Sequence, residues 1–115
     1  MVYFVASNII FHIFAIMKCN FKPDNQKELD EMTEVFASLA HPKRLAIIMI
    51  ISKEPSSVKT ISEKMGCRPP CTSQHLNILK SADVVQSERN GHEVIYSVKK
   101  NCVIEMMDCL KGCDH

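Results

Sequence analysis

The sequence predicts a mostly α-helical domain carrying a β-hairpin near its C-terminal end, and three observations predict it. Apolar residues recur at spacings of three and four through residues 24–81, the signature of helices with one buried face. Over residues 84–98 the period changes to two, and Asn90-Gly91 divides the run. Asn-Gly between two such segments is the strongest short hairpin signal. Helical spacing returns from Asn101 to about Gly112. The 115 residues, 46% of them apolar, suit one domain with one core. With no Trp and 6% aromatics, that core is aliphatic and rich in Met.

Asp24 is placed to cap a first helix through about Leu39, where Leu29, Met32, Phe36 and Leu39 form one apolar stripe. His41-Pro42 then breaks the chain, and Pro42 suits the first position of a second helix, 42–52. Leu45, Ile47, Ile48, Met49, Ile50 and Ile51 make that helix apolar almost all round, so it is expected to be the most buried element. Pro55-Ser56-Ser57 reads as a loop. A short third helix puts Val58, Ile61 and Met65 inward and Gly66 just past its end. Either Ser57 or a Thr60–Glu63 capping box can open it. After a tight turn at 66–68, Pro69-Pro70 start a fourth helix through about Ser81, with Leu76 and Leu79 inward. The strands are expected at 84–89 and 92–98, and Asn101 is placed to cap the last helix.

Two short helices joined by a tight Gly-containing turn, the second polar outward, are a helix-turn-helix pattern. A hairpin directly after the second helix makes it a winged helix-turn-helix. The order is helix-helix-helix-helix-strand-strand-helix, with residues 1–23 as an N-terminal extension and 24–115 as the DNA-binding and dimerisation domain. A helix fits the major groove of double-stranded DNA, and short polar side chains let its backbone approach base edges. Thr72, Ser73, Gln74 and His75 are the candidate base readers. Lys43, Arg44, Lys59, Arg68 and Lys80 are candidates for phosphates, and Arg89 to His92 for the neighbouring groove or backbone.

Net charge is only +1, but it is unevenly placed. Residues 1–40 carry three Lys and five Asp/Glu, residues 41–100 ten Lys/Arg and five Asp/Glu, and residues 101–115 return to a net −2. Positive charge therefore gathers on the segment expected to face phosphates. The competing reading is a set of ordinary solvated polar faces. Helices, turn and hairpin in this order, with the charge concentrated there, favour DNA.

The first seventeen residues, MVYFVASNIIFHIFAIM, are apolar but short for a membrane span, and no basic residues precede them as in an export signal. Met17 is read as the natural start, with residues 1–16 an upstream over-reading, and His12 and His41 are read as structural or incidental. No membrane association is expected. Six Cys is many for this length. Their spacing is not that of a disulfide framework, and a helical core needs no staples, so reduced thiols in a cytoplasmic protein are expected. Such thiols are available as metal or metalloid ligands or as redox sensors.

Three runs then resemble one family. Leu39-Ala40-His41-Pro42-Lys43-Arg44-Leu45-Ala46-Ile47 resembles the opening motif of the ArsR/SmtB repressors. Thr72-Ser73-Gln74-His75-Leu76-Asn77-Ile78-Leu79-Lys80 resembles their recognition helix, and Gly91-His92-Glu93-Val94-Ile95-Tyr96-Ser97-Val98 their wing. The resemblance covers about residues 29–112. It implies a homodimeric winged-helix repressor that leaves its operator when an inducer binds, often a metal or metalloid ion. Departures are also plain. The family's thiolate motif on the third helix falls on Pro55 to Thr60, which has no Cys. The Asp/His zinc pattern of the last helix is missing, and the Cys of sulfur-sensing relatives corresponds to Met49.

What remains for an inducer is Cys102, Cys109 and Cys113. Helical spacings of seven and four put them on one face with Met106, while Val103, Met107 and Leu110 form a second apolar face. One face can pack on the core and the other on a partner subunit, so a dimer through terminal helices is expected. Cys102 and Cys113 lie about 16 Å apart along such a helix, so a single helix cannot bring all three to one ion. Cys109 and Cys113 are one turn apart; a third ligand could be the partner's Cys102, or Cys19. Thiolate-only sites favour As(III), Cd(II), Pb(II), Cu(I) or Zn(II). The alternatives are sensing of thiol oxidation without metal, and Cys acting as a small hydrophobe in the dimer seam. Cys67 and Cys71, flanking Arg68-Pro69-Pro70, are a second candidate pair. An enzyme is not expected: there is no Gly-rich phosphate loop, HExxH or nucleophile-base pair. A winged-helix module that binds protein rather than DNA is the remaining alternative.

Overall fold

The computed structural model describes residues 25–113. Helix α1 (Gln26–Leu39) starts from Asn25, whose side-chain oxygen accepts the backbone N–H of Lys27 and Glu28. The cap is thus Asn25, and the expected Asp24 lies outside the described residues. Helix α2 (Pro42–Lys53) has Pro42 in its first turn and His41 as its N-cap, with Nδ1 accepting from the Lys43 N–H at 3.0 Å. Of the two readings open for His41, structural or incidental, the cap makes it structural. The axes of α1 and α2 differ by 94°. Four α2 residues are buried: Arg44, Ile47, Ile48 and Ile51. Met49 emerges to solvent, so this central helix is not covered all round.

Ser56–Ser57, expected as loop, form a short strand β1 that precedes helix α3 (Val58–Met65). Helix α4 (Pro69–Ser81) follows, then strands β2 (Val85–Asn90) and β3 (Glu93–Val98), and helix α5 (Asn101–Gly112). The sheet order is β1-β3-β2, all antiparallel. β1 pairs through Ser56 with Tyr96 and Ser57 with Ile95, which anchors the hairpin to the start of α3. That pairing is invisible to a period-two search because two residues have no period.

Asn90 pairs with Glu93, so the two-residue loop is Gly91-His92, one position beyond the expected Asn90-Gly91. Among its residues only Gly91 has positive φ, +66°, as a turn with Gly at its first central position requires. Lys100 rather than Asn101 is the N-cap of α5. Lys99 and Lys100 both donate backbone N–H to the Val84 carbonyl, which turns the chain before Asn101 is reached.

The core joins Leu39, Ile47, Ile48, Ile51, Ile61, Leu76, Leu79, Val84, Val85 and Val103, drawn from all five helices, β2 and the residue before it. Burying each such aliphatic side chain is worth about 2 kcal/mol. On the far side α1 exposes Met32 and Phe36, the latter 58% accessible, and α5 exposes Leu110 at 67%. No single helix among the described residues is long and apolar enough to cross a membrane.

Candidate nucleic-acid interface

The turn between α3 and α4 is built by Gly66. Its φ of +68° lets its N–H reach the Glu63 carbonyl and the Cys67 N–H reach that of Ser62, a pair of bonds that closes a helix with a left-handed residue. Ser57 caps the other end of α3 through the Thr60 N–H, which decides between the two possible caps. The chain leaves the turn extended at Arg68, and Pro69-Pro70 start α4 where their missing N–H groups cost nothing.

Thr72 holds α4 against α3. It is wholly buried, accepts a 2.8 Å hydrogen bond from the Ser62 hydroxyl, contacts Cys67 Sγ at 3.2 Å and donates to the Arg68 carbonyl. This corrects the expectation that Thr72 reads bases. The physical reason is helical phase: Thr72, Leu76 and Leu79 share the inward face, and a β-branched hydroxyl with a buried partner fits a core. The inward location also explains why Thr72 could be mistaken for a reader, since sequence shows a polar residue but not its partner.

Arg44 is corrected likewise. Only 1% of it is accessible, so it cannot meet a phosphate. Its Nε donates to the Ser38 carbonyl near the end of α1, and Nη1 lies 3.5 Å from His75 Nδ1 on α4. Because guanidinium only donates, Nδ1 of His75 is the acceptor there. The rings of His75 and His41 are 4.6 Å apart and tilted by 51°. Burial, then the neighbouring His41 and Arg44, push the His75 pKa down to about 4. His41 is lowered too, by burial and then by Arg44 and Lys43. Both rings are therefore neutral at pH 7, as a site beside a buried cation demands.

What α4 offers to solvent is narrower than the sequence implied. Gln74, Asn77, Lys80 and Ser81 are exposed, Ser73 is half-exposed, and His75 is half-buried against Arg44. Asn77, which is not among the sequence candidates, is exposed on the same helix three residues beyond Gln74. Lys43 leans on the start of α4, with Nζ 3.9 Å from Cys71 Sγ. Lys80 Nζ donates to Ser87 Oγ on β2 at 2.7 Å, joining helix and wing. Lys43, Lys59, Arg68, Lys80, Arg89 and His92 are all exposed, and no ion pair among the described residues engages them. An exposed polar helix braced by a hairpin and edged with unneutralised cations can present donors to a groove and charge to its phosphates.

The family description "Bacterial regulatory protein, arsR family" matches residues 41–87, which run from the α2 cap through both helices of the turn into the wing. Residues 41–87 are thus similar to the helix-turn-helix domain of the arsR family. Over 74 residues it is 38% identical to the HTH-type transcriptional repressor SmtB of Mycobacterium tuberculosis, spanning 64% of this chain and about half, 55%, of that relative. The crystal structure of NolR from Sinorhizobium fredii superposes with a TM-score of 0.72 at 26% identity, over 80% of this chain and 92% of NolR. A homodimeric winged helix-turn-helix DNA-binding domain from Mycobacterium bovis, described as a possible ArsR-family regulator, shares the fold with a TM-score of 0.71 at 24% identity, over 78% and 84%.

Among the described residues, no group of three or more His, Cys, Asp and Glu is arranged to hold an ion. Cys102, Cys109 and Cys113 are exposed along α5 and its end, and Cys67 and Cys71 are half-buried against different partners, Thr72 and Lys43. None of these five thiols is bridged to another. Cys19 lies outside the described residues.

Proposed function

We propose that this chain is a transcriptional repressor that binds double-stranded operator DNA as a homodimer. The observation that carries the reading is the outward face of α4, with Ser73, Gln74 and Asn77 presented between the cations Lys43, Arg68 and Lys80, and with Arg89 on the wing beside it. Such a face supplies both base-edge contacts and counterion release. The repressor named among its relatives has the same kind of domain. Dimerisation is supported by apolar surface left uncovered on α1 and α5, namely Met32, Phe36 and Leu110. Two-fold symmetry places two recognition helices one DNA turn apart, about 34 Å.

For the releasing signal, the reading rests on the exposed thiols Cys102, Cys109 and Cys113. One protomer does not gather them into a three-ligand site, so a thiophilic ion such as As(III), Cd(II), Pb(II), Cu(I) or Zn(II) would be shared across the dimer seam or would recruit Cys19. Exposure equally admits reaction with an oxidant.

Two measurements test this. Fluorescence anisotropy with a promoter fragment should give salt-dependent binding that Gln74→Ala weakens; affinity unchanged by that variant rejects the interface. Titrating the reduced protein with Cd(II) or As(III) should produce thiolate charge-transfer absorption that Cys109→Ser with Cys113→Ser abolishes. Absorption unaffected by the double variant rejects the α5 site.

A further inference from the structure

We infer that Gln74 and Asn77 act together as a two-amide reader of A·T base pairs, and that Asn77 is a specificity-determining residue. This deepens, and rests on, the DNA-binding reading. With Thr72 in the core and His75 half-buried against Arg44, two of the four side chains expected to read bases are already engaged by protein partners. The exposed stripe of α4 instead runs through Gln74 and Asn77, with Ser73 beside them.

Both are carboxamides. Alone among neutral side chains, a carboxamide presents a donor and an acceptor side by side, matching adenine N6 and N7 in the major groove. Neither Gln74 nor Asn77 makes a side-chain hydrogen bond among the described residues, so both are available to a partner. A separation of three residues puts them on neighbouring turns of one face, about 4.5 Å apart along the axis. Base pairs rise by about 3.4 Å. The two amides therefore address positions one or two steps apart. Cations lie to either side: Lys43 beside the first turn of α4 and Lys80 tied to Ser87 at its end. The phosphate contacts then fix the register, and the two amides select sequence within it.

The test is selection of bound duplexes from a randomised pool with the full chain, repeated with Asn77→Ala and Gln74→Ala. Both positions are exposed, so the substitutions leave the core intact. The wild type should enrich half-sites holding two A·T pairs one or two steps apart. Asn77→Ala should lose selection at one of them and Gln74→Ala at the other, each by roughly tenfold in relative affinity. An unaltered motif for Asn77→Ala, a G·C pair at the affected position, or a uniform loss on all sequences (an amide on a phosphate) overturns the inference while leaving DNA binding standing. Failure to retain any duplex at low salt overturns both.

Discussion

Arg44 on α2 lies 3.5 Å from His75 on the recognition helix α4, and the same guanidinium donates to the Ser38 carbonyl of α1. One buried cation therefore ties three helices together. Replacing it with Met keeps the stem volume but leaves a carbonyl and an imidazole nitrogen without this donor. Arg44→Met should lower stability by about 2–3 kcal/mol in urea unfolding. The salt slope of DNA binding by the folded variant should be unchanged, since Arg44 touches no phosphate.

The depressed pKa of His75 sets an acid limit on this joint. Its folded-state value of about 4 lies below the ordinary 6.5, so between those values the unfolded chain binds more protons than the folded one. The stabilisation is complete above about pH 6.5 and is lost as pH falls toward 4. His41 contributes with the same sign. Because the His75 ring is half-exposed and screened, its share is about 1 kcal/mol rather than the full shift. His75→Gln should flatten the stability profile between pH 6.5 and 4 in thermal melts; an unchanged slope contradicts the assignment.

Thr72 is a test of core against groove. Thr72→Val preserves shape while removing the hydroxyl that Ser62 and Cys67 contact, and should cost about 1–2 kcal/mol. Thr72→Ser, which retains the hydroxyl, should keep the hydrogen bonds and lose only one buried methyl. Neither substitution should change which bases are preferred in a binding-site selection.

Lys80 and Arg89 are surface charges whose removal acts on DNA and not on folding. Each change to Ala should reduce the slope of log affinity against log salt by about one. Melting temperature should shift by no more than a degree or two. A slope unaffected by both changes would place the phosphates elsewhere.

Phe36 on α1 remains 58% accessible in the described chain. Phe36→Glu should convert a dimer to a monomer in sedimentation at micromolar concentration, and should weaken operator binding with it. A variant that remains dimeric would exclude this face from the interface.

Much of this fold was readable in the residues themselves. Gly66 stops α3, Pro69-Pro70 start α4, and Leu76 and Leu79 place its inner face; these are local rules acting within a few residues, so sequence alone reveals them. Charge crowding in residues 41–100 likewise needs no coordinates to be seen. The hairpin was legible from its alternation, although its loop moved by one residue.

Only the tertiary structure decided which polar residues face out. Arg44 and Thr72 look like DNA contacts in sequence, yet each has a protein partner many residues away: His75 lies 31 positions beyond Arg44, and Ser62 lies 10 before Thr72. Those partners determine whether burying a donor is tolerable, because a polar group is stable inside only when another satisfies it. No pattern along the chain reports such pairing, and so the helix was known before its reading face was.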